Sequence, residues 1–250
     1  MTEGLATALS TNGIYWIITA SIIAGIVRGF AGFGAGMIFI PVVGVFTDPI
    51  TTVVALQTMD GIGALPLLRR GIKEGEPRQV AFLTLCAVLF MPLGIYFLAT
   101  TESDVFRWIV AGLIVVLLGL MMSGWRYTKR LGATGTFGVG GVSGFMSGFF
   151  GLGGPPVIMM YMSGPYRAEV IRANIIIYFF LLTAVAFLLL AMRDLLTAER
   201  LWLGLILVIP YALATLVGQK IFDPTRETLF RTVAYGVIMA SVLLSLPLWS

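Results

Sequence analysis

Apolar residues along this chain come in long, nearly unbroken runs, without the period-two alternation of a half-buried strand or the wide polar stripe of a surface helix. A helix that spans a bilayer needs about 20 mostly apolar residues. Six runs meet that length, at 50–68, 78–99, 105–123, 170–191, 200–218 and 228–248. Two more apolar segments, near 13–46 and 134–163, are interrupted by glycines.

The interruptions follow one pattern written twice. Gly25, Gly29, Gly32 and Gly34 have the spacing G-x3-G-x2-G-x-G, and Gly144, Gly148, Gly151 and Gly153 repeat it 119 residues later. Phe30 and Phe149 follow the second glycine of each copy, and a shorter apolar piece follows each cluster, Met37 to Phe46 and Val157 to Met162. Glycine costs roughly 1 kcal/mol against alanine inside a helix, so each cluster predicts a helix broken in two. The repeat continues at an offset of 124, where Gly94, Phe106, Arg107 and Gly112 match Gly218, Phe230, Arg231 and Gly236. The expected fold is therefore an all-α integral membrane protein of two repeats, 1–125 and 126–250. Each repeat is a broken or re-entrant helix followed by three transmembrane helices, in one integrated membrane domain.

Composition agrees. With 58% hydrophobic residues, 11% charged and a mean hydropathy of +0.99, the chain is far more apolar than a soluble globule, in which about 25% of residues are charged. The net charge of +4 comes from residues scattered through short connections and argues against nucleic acid as a partner. The single cysteine, Cys86, excludes an intrachain disulfide. Residues 1–13 carry no lysine or arginine, so the first apolar segment is expected to stay in the mature protein and not to act as a cleaved leader.

Charge also speaks to orientation. If both broken segments cross the bilayer fully, the loop arginines and lysines divide nine against six. If each is a hairpin that enters and leaves on one side, Arg107, Arg193 and Arg200 oppose the other twelve, a bias of the kind the positive-inside rule demands. The limb from Phe137 to Phe149, 13 residues or about 20 Å of helix, is also shorter than the ~30 Å hydrocarbon core. The hairpin reading makes the second half inverted relative to the first, as in many secondary transporters, and puts both termini outside.

The chemistry on offer is anion binding. Pro155 and Pro156 suit the first turn of a return helix, whose free N–H groups and positive dipole end would face Gly151, Gly153 and Gly154. The first copy offers Gly29, Gly32, Gly34 and Gly36 at the equivalent place, and two such termini meeting at the midplane would hold a small anion. Arg28 is the one basic residue inside a membrane segment; its counterpart in the second copy is Ser147. An intramembrane charge faces a partner or a cavity. Arg28 is thus a candidate substrate ligand or one side of a structural ion pair, with Asp60 as its partner or as a proton carrier. Gln57, Thr58, Asn174 and Tyr178 are polar groups deep in spans, suited to ligand contact or to bonding between helices.

Catalytic readings fail for want of residues. Gly141-Val142-Ser143-Gly144 fits an intramembrane serine protease string, but the chain has no histidine to serve as base. The same lack, with one cysteine, argues against a transition-metal site, and neither a P-loop nor a potassium filter is present. No cofactor is expected.

The tandem glycine pattern, the stretch Gly151-Leu-Gly-Gly-Pro-Pro-Val-Ile-Met-Met-Tyr161 and the later Arg172-Ala-Asn174 resemble the sulfite exporter TauE/SafE family of membrane transporters. The resemblance covers nearly the whole chain. It implies transport of a small sulfur-containing anion, of the sulfite or organosulfonate type, across a bacterial inner membrane. Apart from the resemblance, a proton or a sodium ion is the candidate coupling partner. The first copy departs from the second, with Ala35 in place of Gly154 and no paired prolines. The sequence thus points to a secondary transporter, not an enzyme. A passive anion channel, a carrier of a small carboxylate and a membrane assembly subunit without transport are the competing readings.

Overall fold

The structure, a computed structural model, describes residues 2–31, 34–123, 131–163, 167–221, 223 and 227–246. Every regular element among them is an α-helix: α1 (Thr2–Leu9), α2 (Ile14–Ala31), α3 (Ala35–Val43), α4 (Pro49–Glu74), α5 (Pro77–Thr100), α6 (Ser103–Met122), α7 (Ala133–Phe150), α8 (Gly154–Ser163), α9 (Ala168–Ala191), α10 (Ala198–Ile221) and α11 (Glu227–Ser245). Five stretches among the described residues are long and apolar enough to cross a bilayer: Ile14–Ala31, Pro77–Thr100, Ser103–Met122, Val170–Ala191 and Ala198–Ile221. The expected span at 50–68 lies within α4, where Thr51, Thr52, Gln57, Thr58 and Asp60 dilute the apolar run. Leu85 and Leu89 on α5 and Ile209 and Leu213 on α10 are well exposed, as suits a surface whose solvent is lipid rather than water.

Both glycine clusters break their helices. α2 stops at Ala31 and α3 resumes at Ala35, with Gly34 between them at φ +92°. α7 stops at Phe150, and Gly151, at φ +69°, turns the chain before α8 resumes at Gly154. Glycine alone enters that left-handed region without a Cβ penalty. The Gly151 N–H bonds to Ser147 O at 3.0 Å and the Leu152 N–H to Met146 O at 3.3 Å, which satisfies carbonyls that the helix end would otherwise leave open.

The incoming limbs are longer than the half-depth limb expected from Phe137 to Phe149. α2 and α7 have 18 residues each, about 27 Å of helix. α7 starts at Ala133 and runs through Gly135, Gly138, Gly140 and Gly141, and close packing on α5 compensates the weak propensity of the last two. A Cβ at Gly140 would meet Cys86 Cβ at 2.7 Å, and one at Gly141 would meet the Phe90 ring at 3.0 Å. The outgoing limbs α3 and α8, 9 and 10 residues, are the short ones, about 14 and 15 Å.

The chain forms two compact units. The first comprises Met1–Asp60, Thr101–Gly119 and Thr197–Ser250; the second comprises Gly61–Thr100 and Leu120–Leu196. Each therefore combines segments from both sequence halves. In the first unit the broken helix α2 packs most extensively on α10, and in the second α7 packs on α5. The registers correspond. Gly25 lies against Tyr211 O and Ala214, and Gly29 against Thr215 O and Gly218; Gly144 lies against Ala87 O, and Gly148 against Met91 O and Gly94. Ala87, Met91 and Gly94 precede Tyr211, Thr215 and Gly218 by the same 124 residues that relate the sequence repeats. Glycines thus bring backbone against backbone at equivalent places in both units, the small-residue packing that substitutes in lipid for a hydrophobic drive.

Candidate functional site

In the first unit, Arg28 projects from the last turn of α2, where a cation also meets the negative end of the helix dipole. Its Nε lies 3.0 Å from Asp60 Oδ1 on α4. Tyr211, fully buried on α10, donates its hydroxyl to the same oxygen at 2.5 Å. One carboxylate oxygen is therefore held by a guanidinium and a phenol from two other helices. The cluster is not fully buried: the Arg28 and Asp60 side chains keep 20% and 23% of their surface exposed.

The α2–α3 break adjoins this pair along the chain. A Cβ on Gly34 would lie 3.7 Å from Val27, the neighbour of Arg28. Gly34 is also the N-cap of α3 and, being glycine, supplies no side-chain oxygen to its first N–H groups, groups of the type that bind anions at helix starts. Gly36 is half-buried in that first turn. Gly32 lies outside the described residues. Gly29 faces α10 and serves helix contact, and Gln57 is buried on α4 one turn before Asp60.

The second unit gathers Gly151, Gly153, Gly154, Pro155, Pro156 and Tyr178 around the α7–α8 break. The prolines fall in the first turn of α8, where their missing N–H costs nothing. Tyr178 of α9 donates to Ser143 Oγ at 2.7 Å, and the Ser143 hydroxyl donates to Gly153 O. This chain of hydroxyls pins the turn to α7 and α9. The space beside the glycines is filled: a Cβ on Gly153 would meet Ser147 at 2.8 Å, and one on Gly154 the Phe179 ring at 2.6 Å. Asn174 lies one turn before Tyr178 on α9, and its Oδ1 accepts the Glu76 N–H at 2.6 Å, capping the turn between α4 and α5. Its Nδ2 is buried without a partner among the described residues.

Two polar residues went unnoticed as site members in the sequence, Tyr211 and Ser143. Tyr211 reads as an ordinary aromatic in the apolar run 200–218, and only the rule that a buried tyrosine hydroxyl finds a partner hints at more. Ser143 stands in a protease-like string, while its structural signal is subtler: its counterpart 119 residues earlier is Ala24, so the hydroxyl lock belongs to one copy only.

The family model described as sulfite exporter TauE/SafE matches residues 17–244. A relative from Cupriavidus necator, named a probable sulfite/organosulfonate exporter TauE, is 29% identical over 217 residues, which cover 83% of this chain and 84% of that protein. No solved structure matches. A match that takes in α2 through α11, over helices apolar enough to cross a bilayer several times, leads to one conclusion: this multi-pass membrane protein belongs to the sulfite exporter TauE/SafE family, a family of transporters and not of enzymes.

Proposed function

We propose that the protein is a secondary transporter that moves a small sulfur-containing anion, sulfite or an organosulfonate, across the bacterial inner membrane. Arg28 supplies the positive charge, and the glycine breaks supply backbone donors. The observation that carries this reading is the partly open Arg28–Asp60 pair beside the break at Gly34. A lone cation kept inside an apolar segment is costly. This one is already matched to a carboxylate, an oxyanion of the same general shape as one face of a sulfonate. The name of the Cupriavidus necator relative supports the substrate class.

Arginine offers two parallel N–H donors to such a group, a geometry a point charge cannot copy. The matching contact registers of the two units support two structural repeats, and alternating access by rocking around the breaks follows from that plan. Both termini lie outside in this proposal, and a proton or sodium ion is the candidate coupling partner.

The test is a thermal-shift screen of the detergent-purified protein against sulfite, methanesulfonate, sulfate and acetate, followed by counterflow from loaded proteoliposomes. Stabilisation by sulfite or methanesulfonate, with saturable counterflow, is expected. Stabilisation by acetate alone would move the substrate to the carboxylates, and conductance far above carrier turnover would make the protein a channel.

A further inference from the structure

We infer that Asp60 is a built-in competitor for the substrate, an internal anion that occupies Arg28 when the transporter is empty, and that Tyr211 is the positioning residue that receives Asp60 when an external anion takes its place. This rests on the anion-transport reading and extends it to how the site is emptied and filled. Three observations carry it. Arg28 Nε and the Tyr211 hydroxyl converge on one oxygen, Asp60 Oδ1, at 3.0 and 2.5 Å. The pair remains about one-fifth exposed, whereas Tyr211 is only 2% exposed. The three groups come from three helices, α2, α4 and α10, so no one helix fixes their spacing.

The physical consequence is an exchange of partners. A carrier that returns empty must bring its binding cation through the membrane, and an unmatched guanidinium there is expensive. Asp60 neutralises it. An arriving sulfite or sulfonate competes with Asp60 for the same guanidinium, and it wins only if the displaced carboxylate keeps a donor. The buried Tyr211 hydroxyl is that donor, held from α10 and out of the ligand's reach. In the empty state Asp60 has two donors among the described residues and can spare one; in the loaded state Tyr211 is the one that remains of the pair. Removing the tyrosine hydroxyl therefore harms the loaded state more than the empty one, and removing the Asp60 charge removes the competition altogether. Asp60 and Tyr211 thus act in opposite directions on anion affinity, which a purely structural pair would not do.

The experiment is a double-mutant cycle on the full-length protein in detergent, with sulfite and methanesulfonate titrated by calorimetry and folding checked by thermal midpoint and size exclusion. Asp60→Asn is expected to bind the anion roughly tenfold tighter than wild type, and its counterflow is expected to slow because the tighter complex releases poorly. Tyr211→Phe is expected to bind about fivefold more weakly, and the same change in the Asp60→Asn background is expected to leave affinity unchanged. Folded Asp60→Asn that binds equally or more weakly overturns the competitor role. An equal loss from Tyr211→Phe in both backgrounds assigns Tyr211 to packing and overturns its role as acceptor of the displaced carboxylate. If Asp60→Asn does not fold, Tyr211→Phe decides alone, since wild-type affinity in that variant overturns the exchange. Failure of the wild type to bind either anion sinks the transport proposal itself, and is distinguishable from wild-type binding with a flat cycle, which sinks the exchange only.

Discussion

A glycine can be required because its backbone conformation forbids a side chain or because its neighbours leave no room, and the two requirements separate cleanly in this chain. Gly34 has room, with Ile238 3.5 Å and Val27 3.7 Å from an added Cβ, but its φ of +92° is strained for any other residue. Gly29 has no room, since an added Cβ would strike Thr215 O and would approach Gly218 Cα at 2.8 Å, both backbone atoms. Among the described residues, Gly112 and Gly119 on α6 meet nothing within 4 Å. Alanine at Gly34 should therefore cost about 1–2 kcal/mol. Alanine at Gly29 should cost about 3 kcal/mol or fail to fold, because neighbouring backbone cannot swing aside as a side chain can. Alanine at Gly112 should be neutral or stabilise by up to about 1 kcal/mol. Thermal midpoints of the three detergent-purified variants check this order; equal losses at Gly29 and Gly112 would contradict it. The sequence displayed which residues were glycine but not which requirement each one met. Gly153 and Gly154 read as backbone for an anion to approach, and an added Cβ there would meet Ser147 and the Phe179 ring, a long-range fact that no local spacing contains. Gly154→Val therefore mixes packing with any effect on binding, and Arg28 is the cleaner probe.

At the scale of elements, the two breaks were the most legible feature of the chain, because glycine acts through local backbone energetics and the clusters fall where α2 gives way to α3 and α7 to α8. The extent of the limbs was less legible. The sequence marks a limb from Phe137 to Phe149, whereas α7 starts a turn earlier, at Ala133, and packs on α5. What holds the second break was also invisible, since the Tyr178–Ser143 bond joins residues 35 apart on different helices. Its energetics make a prediction. Ser143→Ala leaves the buried Tyr178 hydroxyl and Gly153 carbonyl without this partner, a cost of about 1–3 kcal/mol. Tyr178→Phe removes one hydrogen bond and its donor together and should cost about 1 kcal/mol. The double variant should cost less than the sum, because the second change removes the orphan that the first one created. Additive losses in thermal or urea denaturation would show that the hydroxyls do not act as one chain.

For the whole molecule, the division into compact units cuts across the sequence halves: α5 of the first half packs with α7 of the second, and α10 of the second with α2 of the first. The repeat was readable from matching residues, but the exchange of helices between halves was not, since hydrophobic runs carry no record of their partners. Orientation is open to direct measurement. In a Cys86→Ser background, single cysteines at Ser10, Glu102, Lys73 and Gly132, all exposed positions, can be labelled in intact cells with an impermeant maleimide. The twelve-to-three charge split predicts that Ser10 and Glu102 react while Lys73 and Gly132 do not; reaction at Lys73 together with Ser10 would overturn the hairpin orientation. The claim on which the rest depends is that Arg28 grips a sulfur oxyanion during transport. Its most direct test is counterflow of radiolabelled sulfite into sulfite-loaded proteoliposomes containing wild type, Arg28→Lys or Arg28→Ala. The account predicts saturable uptake by the wild type, a partial rate for lysine, which keeps the charge but loses the two-pronged hydrogen bond, and a loss of roughly tenfold or more for alanine. Wild-type uptake by a folded Arg28→Ala protein would contradict it and place the anion site elsewhere.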